Sequence, residues 1–438
     1  MQNQFYALAD NLTQELKRDE IFTCWFSGEC SDFVRFNHGQ IRQAGNVTQR
    51  YLRLRLIAQG RHASVSLTIA GDSGDLALAR SSLAELRATL DDLPEDPYLL
   101  YATDIHSSEN KRSSALPSPE ESIEQITTAA QGLDLVGIYA AGTICRGFAN
   151  SLGQRNWHEV ENFNFEWSLY HQADKAVKTG YAGVEWQPEI LYARMRAAAG
   201  QLELLQAPAR NISPGEYRAF LAPRALDDIV GMLAWGGLSA KARHTKQSAL
   251  IKMEQGATLS AHVTLRENTA AGTAPAFQSD GFTRPKSVTL IDQGKLANPL
   301  IAPRTAKEYG LDSNGANGGE SPESIEMSAG TLANADALAA LGTGLLINNL
   351  WYLNYSDRPA CRLTGMTRFA SFWVESGKIA APVNVMRFDD TLYRILGDNL
   401  AALTQEQDFM LDSSSYGERS TQSSRLPGAL LTRLKFTL

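Results

Sequence analysis

Cysteine is scarce. The 438 residues hold four, Cys24, Cys30, Cys145 and Cys361, and no CxxC pair. A small disulfide scaffold needs more of them in a shorter chain, so buried reduced thiols and a reducing compartment are expected. Excess positive charge is also missing. Lys and Arg total 41 against 48 Asp and Glu, a formal net charge of −7, which leaves no electrostatic footprint for wrapping nucleic acid. Long apolar runs are absent too. The longest, residues 337–353 (ALAALGTGLLINNLWYL), is too short for a membrane span and is broken by Thr343, Asn348 and Asn349. The opening MQNQFYALADNLTQELKRDE lacks the basic start and apolar stretch of a secretory signal, so a cytoplasmic location is expected. No repeat of fixed period is present.

What remains is ordinary globular composition, 43% hydrophobic and 20% charged. At roughly 100–200 residues per domain the length predicts two to four domains, with core enough to need no staples. Phe5, Leu8, Leu12 and Leu16 recur at helical steps. Residues 21–26, 53–56 and 64–69 alternate as strands, with Gln59-Gly60-Arg61 as a hairpin turn. Leu76, Ala79, Leu83, Leu86 and Leu90 then mark a second helix, stopped by Pro94 and Pro97. Residues 107–117 (SSENKRSSALP) read as a polar linker. Ser118-Pro119-Glu120-Glu121 is a helix start with a capping box. Strands are expected at 134–144, 162–169 and 217–221, and helices at 189–205 and from Pro223, with Leu226, Ile229, Val230 and Leu233 inward. Beyond Ser248 the pattern turns mainly to strand, at 258–266, 287–291, 344–352, 372–374 and 430–437. A Gly/Asn-rich loop lies at 312–323 and a closing helix is expected near 391–403. The fold class is therefore α+β, an N-terminal helix/antiparallel-sheet domain followed by a mainly β C-terminal domain. The boundaries read 1–106, 107–209 (a middle α/β segment packing with the first) and 210–438.

Self-contained catalytic motifs are not found. Zinc hydrolases place two His one helical turn apart with a Glu beside them. The closest pair here, His158 and His171, is thirteen residues apart, and the surrounding RNWHEVENFNFEW reads as strand, making His158 a surface strand histidine. Ala149-Asn150-Ser151-Leu152-Gly153 resembles a nucleophile elbow but is followed by another strand, so a hairpin turn is expected. Gly294-Lys295 and Gly377-Lys378 lack a P-loop's Ser or Thr, and Gly342-Thr343-Gly344 ends at Ile347 ahead of a strand. Cys361 lies between Arg358 and Arg362, which lower a thiol's pKa if it is exposed. The expectation is a buried strand cysteine flanked by outward arginines. Asp389-Asp390 reads as capping for the closing helix rather than a cation site. Phe163, Phe165 and Trp167 alternate, so one buried strand face explains most of the aromatic run from Trp157 to Tyr170.

The C-terminal third carries a resemblance. Residues 344–388 (GLLINNLWYLNYSDRPACRLTGMTRFASFWVESGKIAAPVNVMRF) hold an apolar strand, a Tyr and Thr364-Gly365-Met366-Thr367-Arg368. Glu375-Ser376-Gly377-Lys378-Ile379, Pro382-Val383 and Arg387-Phe388 follow. Asp280-Gly281, residues 290–294 (LIDQG), Arg304-Thr305-Ala306, residues 150–153 (NSLG) and the ending Arg425-Leu426-Pro427 to Phe436-Thr437-Leu438 add to the series. Together these resemble the TldD/PmbA family, also called modulators of DNA gyrase. The resemblance is strong after Met253 and loose before Pro117. It implies one of two kinds of subunit. The TldD kind carries His-Glu-x-x-x-His on a central helix, a zinc site for peptide hydrolysis. The PmbA or TldE kind lacks it and pairs with TldD. The matching helix here, in residues 222–250 (APRALDDIVGMLAWGGLSAKARHTKQSAL), has no His before His244 and no Glu, so neither ligands nor general base carry over.

The resemblance thus implies a PmbA/TldE-like non-catalytic subunit of a cytoplasmic zinc metalloprotease complex that acts on unfolded or small peptides and peptide precursors. This chain would bind no cofactor, zinc sitting on a TldD-like partner, and a homodimer would form in the partner's absence. Two alternatives stay open. One is an independent enzyme with a divergent site, using Cys361, or His158 with a metal. The other is a homodimeric peptide-binding protein. Arg368, Tyr352 and Phe369 are the candidate partner or substrate face, while Trp351 and Trp373 read as core packing. A buried Arg368 needs a paired anion.

Overall fold

The computed structural model describes residues 1–172 and 175–437, so Leu438 of the terminal motif lies outside the described residues. Helix α1 (Gln2–Gln14) is followed by the antiparallel strands β1 (Ile21–Asn37), β2 (Gln40–Ala58) and β3 (Arg61–Thr68), then α2 (Gly74–Leu90). The β2–β3 turn uses Gln59 and Gly60 at φ 51° and 74°, the left-handed pair that matches strand twist in a two-residue hairpin. Next come β4 (Ser108–Arg112), α3 (Pro119–Ala129), β5 (Asp134–Asn150), β6 (Arg155–Gln172), β7 (Lys175–Gly183) and α4 (Pro188–Leu204). The box at the start of α3 is complete: Glu121 N–H donates to Ser118 Oγ at 3.2 Å, and Ser118 N–H to Glu121 Oε2 at 2.9 Å. All seven strands join one sheet in the order β3-β2-β1-β5-β6-β4, with β7 also on β6.

The second sheet begins at β8 (Gly215–Leu221), which leads into α5 (Pro223–Gly231). The short strands β9 (Leu265–Glu267), β10 (Val288–Asp292), β11 (Lys295–Leu296) and β12 (Ser324–Met327) follow. The long ones are β13 (Gly344–Asp357), β14 (Arg362–Glu375), β15 (Lys378–Pro382), β16 (Arg387–Thr391), β17 (Leu400–Leu411) and β18 (Ser423–Phe436). Strands β8, β13, β14, β16 and β18 pair in series, and β18 pairs back onto β8, closing a ring. Helix α5 packs on β13 and β18 with Ala225, Leu226, Ile229 and Val230 fully buried.

Three cores follow. One lies under α1 and α2 with Phe22, Leu52, Leu54 and Leu56. One fills the ring around α5. The third joins the sheets: Phe163, Phe165 and Trp167 of β6 and Leu191 and Met195 of α4 belong with Phe220, Phe372 and Val374 of the second sheet. No helix among the described residues is long and apolar enough to cross a membrane.

Several local expectations are corrected. The linker at 107–117 contains β4, parallel to β6. Of the strand expected at 258–266 only Leu265 and Arg266 pair, in a strand that ends at Glu267. The closing helix near 391–403 is a single π turn, Arg394–Asp398, which runs into β17. Asp389 and Asp390 lie on β16 instead of capping a helix, and buried Asp390 accepts from Thr391 N–H at 2.8 Å. Trp351 is 52% exposed, against its reading as core, whereas Trp373 is buried.

Candidate functional site

The site grows from the polar half of an alternation. In β6, Phe163, Phe165 and Trp167 turn inward, so Asn162, Asn164, Glu166 and Ser168 share the opposite face. The sequence reading singled out the aromatic half and missed its complement, although the same period of two reveals both. Glu166 is where the two sheets meet electrostatically. Lys178 of β7 lies 3.3 Å from it, and Arg224 in the first turn of α5 forms a second ion pair. Burial pushes the Glu166 carboxyl up, but the two cations outweigh it and hold it below the ordinary range. Arg194 of α4 reaches Asp408 of β17 at 2.9 Å across the same seam.

Helix α5 supplies two carboxylates there. Burial pushes Asp227 upward against a hydrogen bond to Ser424 and the nearby Arg224 charge. Asp228 keeps solvent contact, yet the protein packed round it raises its carboxyl to about 7 by desolvation, opposed by its hydrogen bond from Leu350 N–H at 3.1 Å. That bond ties α5 to β13 just before the exposed aromatic stretch. Trp351 and Tyr352 follow, with ring centroids 5.8 Å apart. The Arg368 guanidinium lies 4.9 Å from the Trp351 ring and 5.5 Å from that of Phe369, and Lys178 lies 5.9 Å from Phe369. Arg368 is half-buried and held by aromatic faces, an arrangement that needs no buried anion. Tyr352 and Phe369 both sit at left-handed φ, 57° and 58°, strain of about 1–3 kcal/mol each that the surrounding strands must impose. Arg368, Phe369 and Tyr352 therefore form one cluster with Trp351, bordering the charged cleft through Lys178.

The other candidates lie apart. His158 is buried, not on the surface. Its Nε2 faces Thr273 O at 2.9 Å, and burial lowers it to about 4, which keeps it neutral. Cys361 is buried at the β13–β14 turn, and burial raises its thiol to about 12, so it is no nucleophile near neutral pH. Residues 150–153 form the β5–β6 hairpin turn, Asn150 Oδ1 accepting from Leu152 and Gln154 N–H. A zinc ion does not fit this donor set. The α5 carboxylates face Arg224 and Ser424 without an imidazole beside them, and no three His, Cys, Asp or Glu side chains converge among the described residues.

Fold and site together define a two-sheet α+β protein, with a closed five-stranded ring and a charged cleft where its helix meets the first sheet. Residues 214–438 match the model of the PmbA/TldA metallopeptidase C-terminal domain, and the chain belongs to the PmbA/TldD family. No curated protein sequence matches it significantly. Among solved structures, a proposed modulator of a DNA gyrase from Thermotoga maritima aligns over 99% of this chain and 100% of its own, with TM-score 0.79 and 14% identity. TldE from Thermococcus kodakarensis aligns over 99% and 100%, with TM-score 0.78 and 12% identity. A proposed modulator of DNA gyrase from Bacteroides thetaiotaomicron aligns over 99% and 98%, with TM-score 0.78 and 16% identity. At these identities the likeness is one of fold.

Proposed function

We propose that this chain is the non-catalytic, PmbA/TldE-like subunit of a cytoplasmic zinc peptidase and works beside a TldD-like paralogue that carries the metal. The observation that carries this reading is the chemistry of α5. Where the zinc-bearing kind presents His-Glu-x-x-x-His, this helix presents Asp227, beside Ser424 and Arg224, and Asp228, which accepts from Leu350 N–H. Neither hydroxide generation nor carbonyl polarisation has a supporting residue set here. The chain's part is to pair with the metal-bearing subunit and hold peptide near it. The Trp351–Tyr352–Arg368–Phe369 cluster, exposed at Trp351 and Tyr352 and half-buried at Arg368 and Phe369, is the proposed partner or substrate face, because aromatic and Arg side chains concentrate binding energy in such patches.

Sedimentation velocity with a His-Glu-x-x-x-His paralogue from the same source tests this. A mixed species is expected. Arg368→Ala should weaken it roughly tenfold while leaving the thermal midpoint of the lone chain almost unchanged. Failure to form any mixed species overturns the pairing.

A further inference from the structure

The face of the first sheet that meets residues 411–420 carries a groove that the pairing account does not use. The register sets Gln43, Arg35, Ile138, Glu166 and Gly180 in one row across β2, β1, β5, β6 and β7. A parallel row two residues along runs Gly45, Phe33, Ala140, Asn164, Ala182. Residues 412–420 form the wall over these rows. Asn164 Nδ2 donates to Asp412 O at 3.4 Å, Gln49 Nε2 to Gly417 O at 2.6 Å, and Arg419 Nη1 to Ser31 Oγ at 3.2 Å. Two cavities of about 240 and 410 Å³ lie along this wall and share Arg35, Ile138 and Ser415, so they adjoin along one groove line.

Its chemistry is specific. Ile138 is an exposed apolar floor at the centre. Asn164 Oδ1 and Asn162 Nδ2 are buried without partners, an acceptor and a donor on adjacent rows. Arg35 faces both cavities. Of the carboxylates that line them, Glu166 is paired with Lys178 and Arg224, and Glu29 accepts from Ser31 Oγ and Gln49 Nε2, while the exposed Asp412 accepts only from Ser414 N–H among the described residues. Four strand spacings of about 4.8 Å give a length of about 19 Å, which an extended chain covers in about six residues.

We propose that this groove binds an extended peptide of about six residues with an acidic side chain near its middle, set against Arg35. Paired donors and acceptors suit an amide backbone, and the exposed isoleucine suits an apolar neighbour of the acid. The inference deepens the peptide part of the proposed function and rests on it, but it concerns the lone chain.

The test is fluorescence anisotropy on this chain alone. The probes are a labelled, acetylated and amidated hexapeptide with one central Glu among apolar residues, its Gln counterpart, and the Gln peptide with a free C-terminal carboxylate. The Glu peptide should bind with a Kd of about 10–100 μM, and the amidated Gln peptide roughly tenfold more weakly. Arg35→Gln and Ile138→Trp should each weaken the Glu peptide roughly tenfold with unchanged thermal midpoints. Absence of binding, equal binding by both variants, or binding that follows the terminal carboxylate would overturn the assignment. No paralogue is present, so failure here leaves the pairing proposal standing, and failure to pair leaves the groove standing.

Discussion

Arg284 shows how much one side chain can hold. It is buried with Glu267 at 3.2 Å and pairs with Glu323 as well, while Glu267 also accepts from the N–H groups of Glu323 and Ser324. Burial raises the Glu267 carboxyl, and the Arg284 charge opposes this. Arg284→Met strands both carboxylates and should cost about 3–5 kcal/mol in urea denaturation. Asp228 acts in the opposite sense. Its folded value of about 7 lies above that of an unfolded Asp, about 3.9. The folded chain therefore binds that proton more tightly. The stability it contributes is fully present below the unfolded value and is lost as pH rises through about 7. Asp228→Asn keeps an acceptor for Leu350 N–H and should be more stable than the parent at pH 8. After solvent screening the gain is about 1 kcal/mol, and the difference should vanish below about pH 4. Thermal melts across this range check the sign. A parent that gains stability from pH 5 to pH 8 relative to the variant contradicts it.

Among elements, β5 depends on Gly142. Its φ of 132° is open to glycine, and a Cβ there would strike Cys30 O and Ser31 Cα on β1. Gly142→Ala should cost about 2 kcal/mol or more and expose the amides of β1 and β5 to hydrogen exchange before those of β13. Elements built on a strong period were legible in the sequence: α1, α2, α4, α5 and the β2–β3 hairpin. The failures have physical causes. Leu392, Ile395, Leu396, Leu400 and Leu403 keep helical spacing and are all buried, but Gly397 at φ −113° and ψ −107° breaks the turn, and Leu400 and Leu403 are buried by pairing with β18 instead. Strand β4 is polar and short, and it is held by parallel pairing to β6 that leaves no alternation to read. His158 is buried by the distant Thr273 segment, which local pattern does not foresee. The charged cleft needs Glu166, Lys178 and Arg224 from three elements, so no local pattern reveals it.

Across the whole molecule, the shared core makes the two sheets one structure. Phe372 of β14 is fully buried in the cluster that holds Phe163, Phe165 and Trp167. Phe372→Ala should cost about 3–5 kcal/mol, and tryptophan fluorescence of the buried β6 face should shift in the same urea range as loss of the ring. Two well-separated transitions in the parent protein would argue against that coupling. The central claim concerns where the chemistry resides. Peptidase activity and bound zinc should be measured on this chain alone, on a His-Glu-x-x-x-His paralogue from the same source, and on their mixture. The account predicts activity with stoichiometric zinc in the mixture and neither in this chain by itself. Zinc and peptidase activity in this chain alone would contradict it.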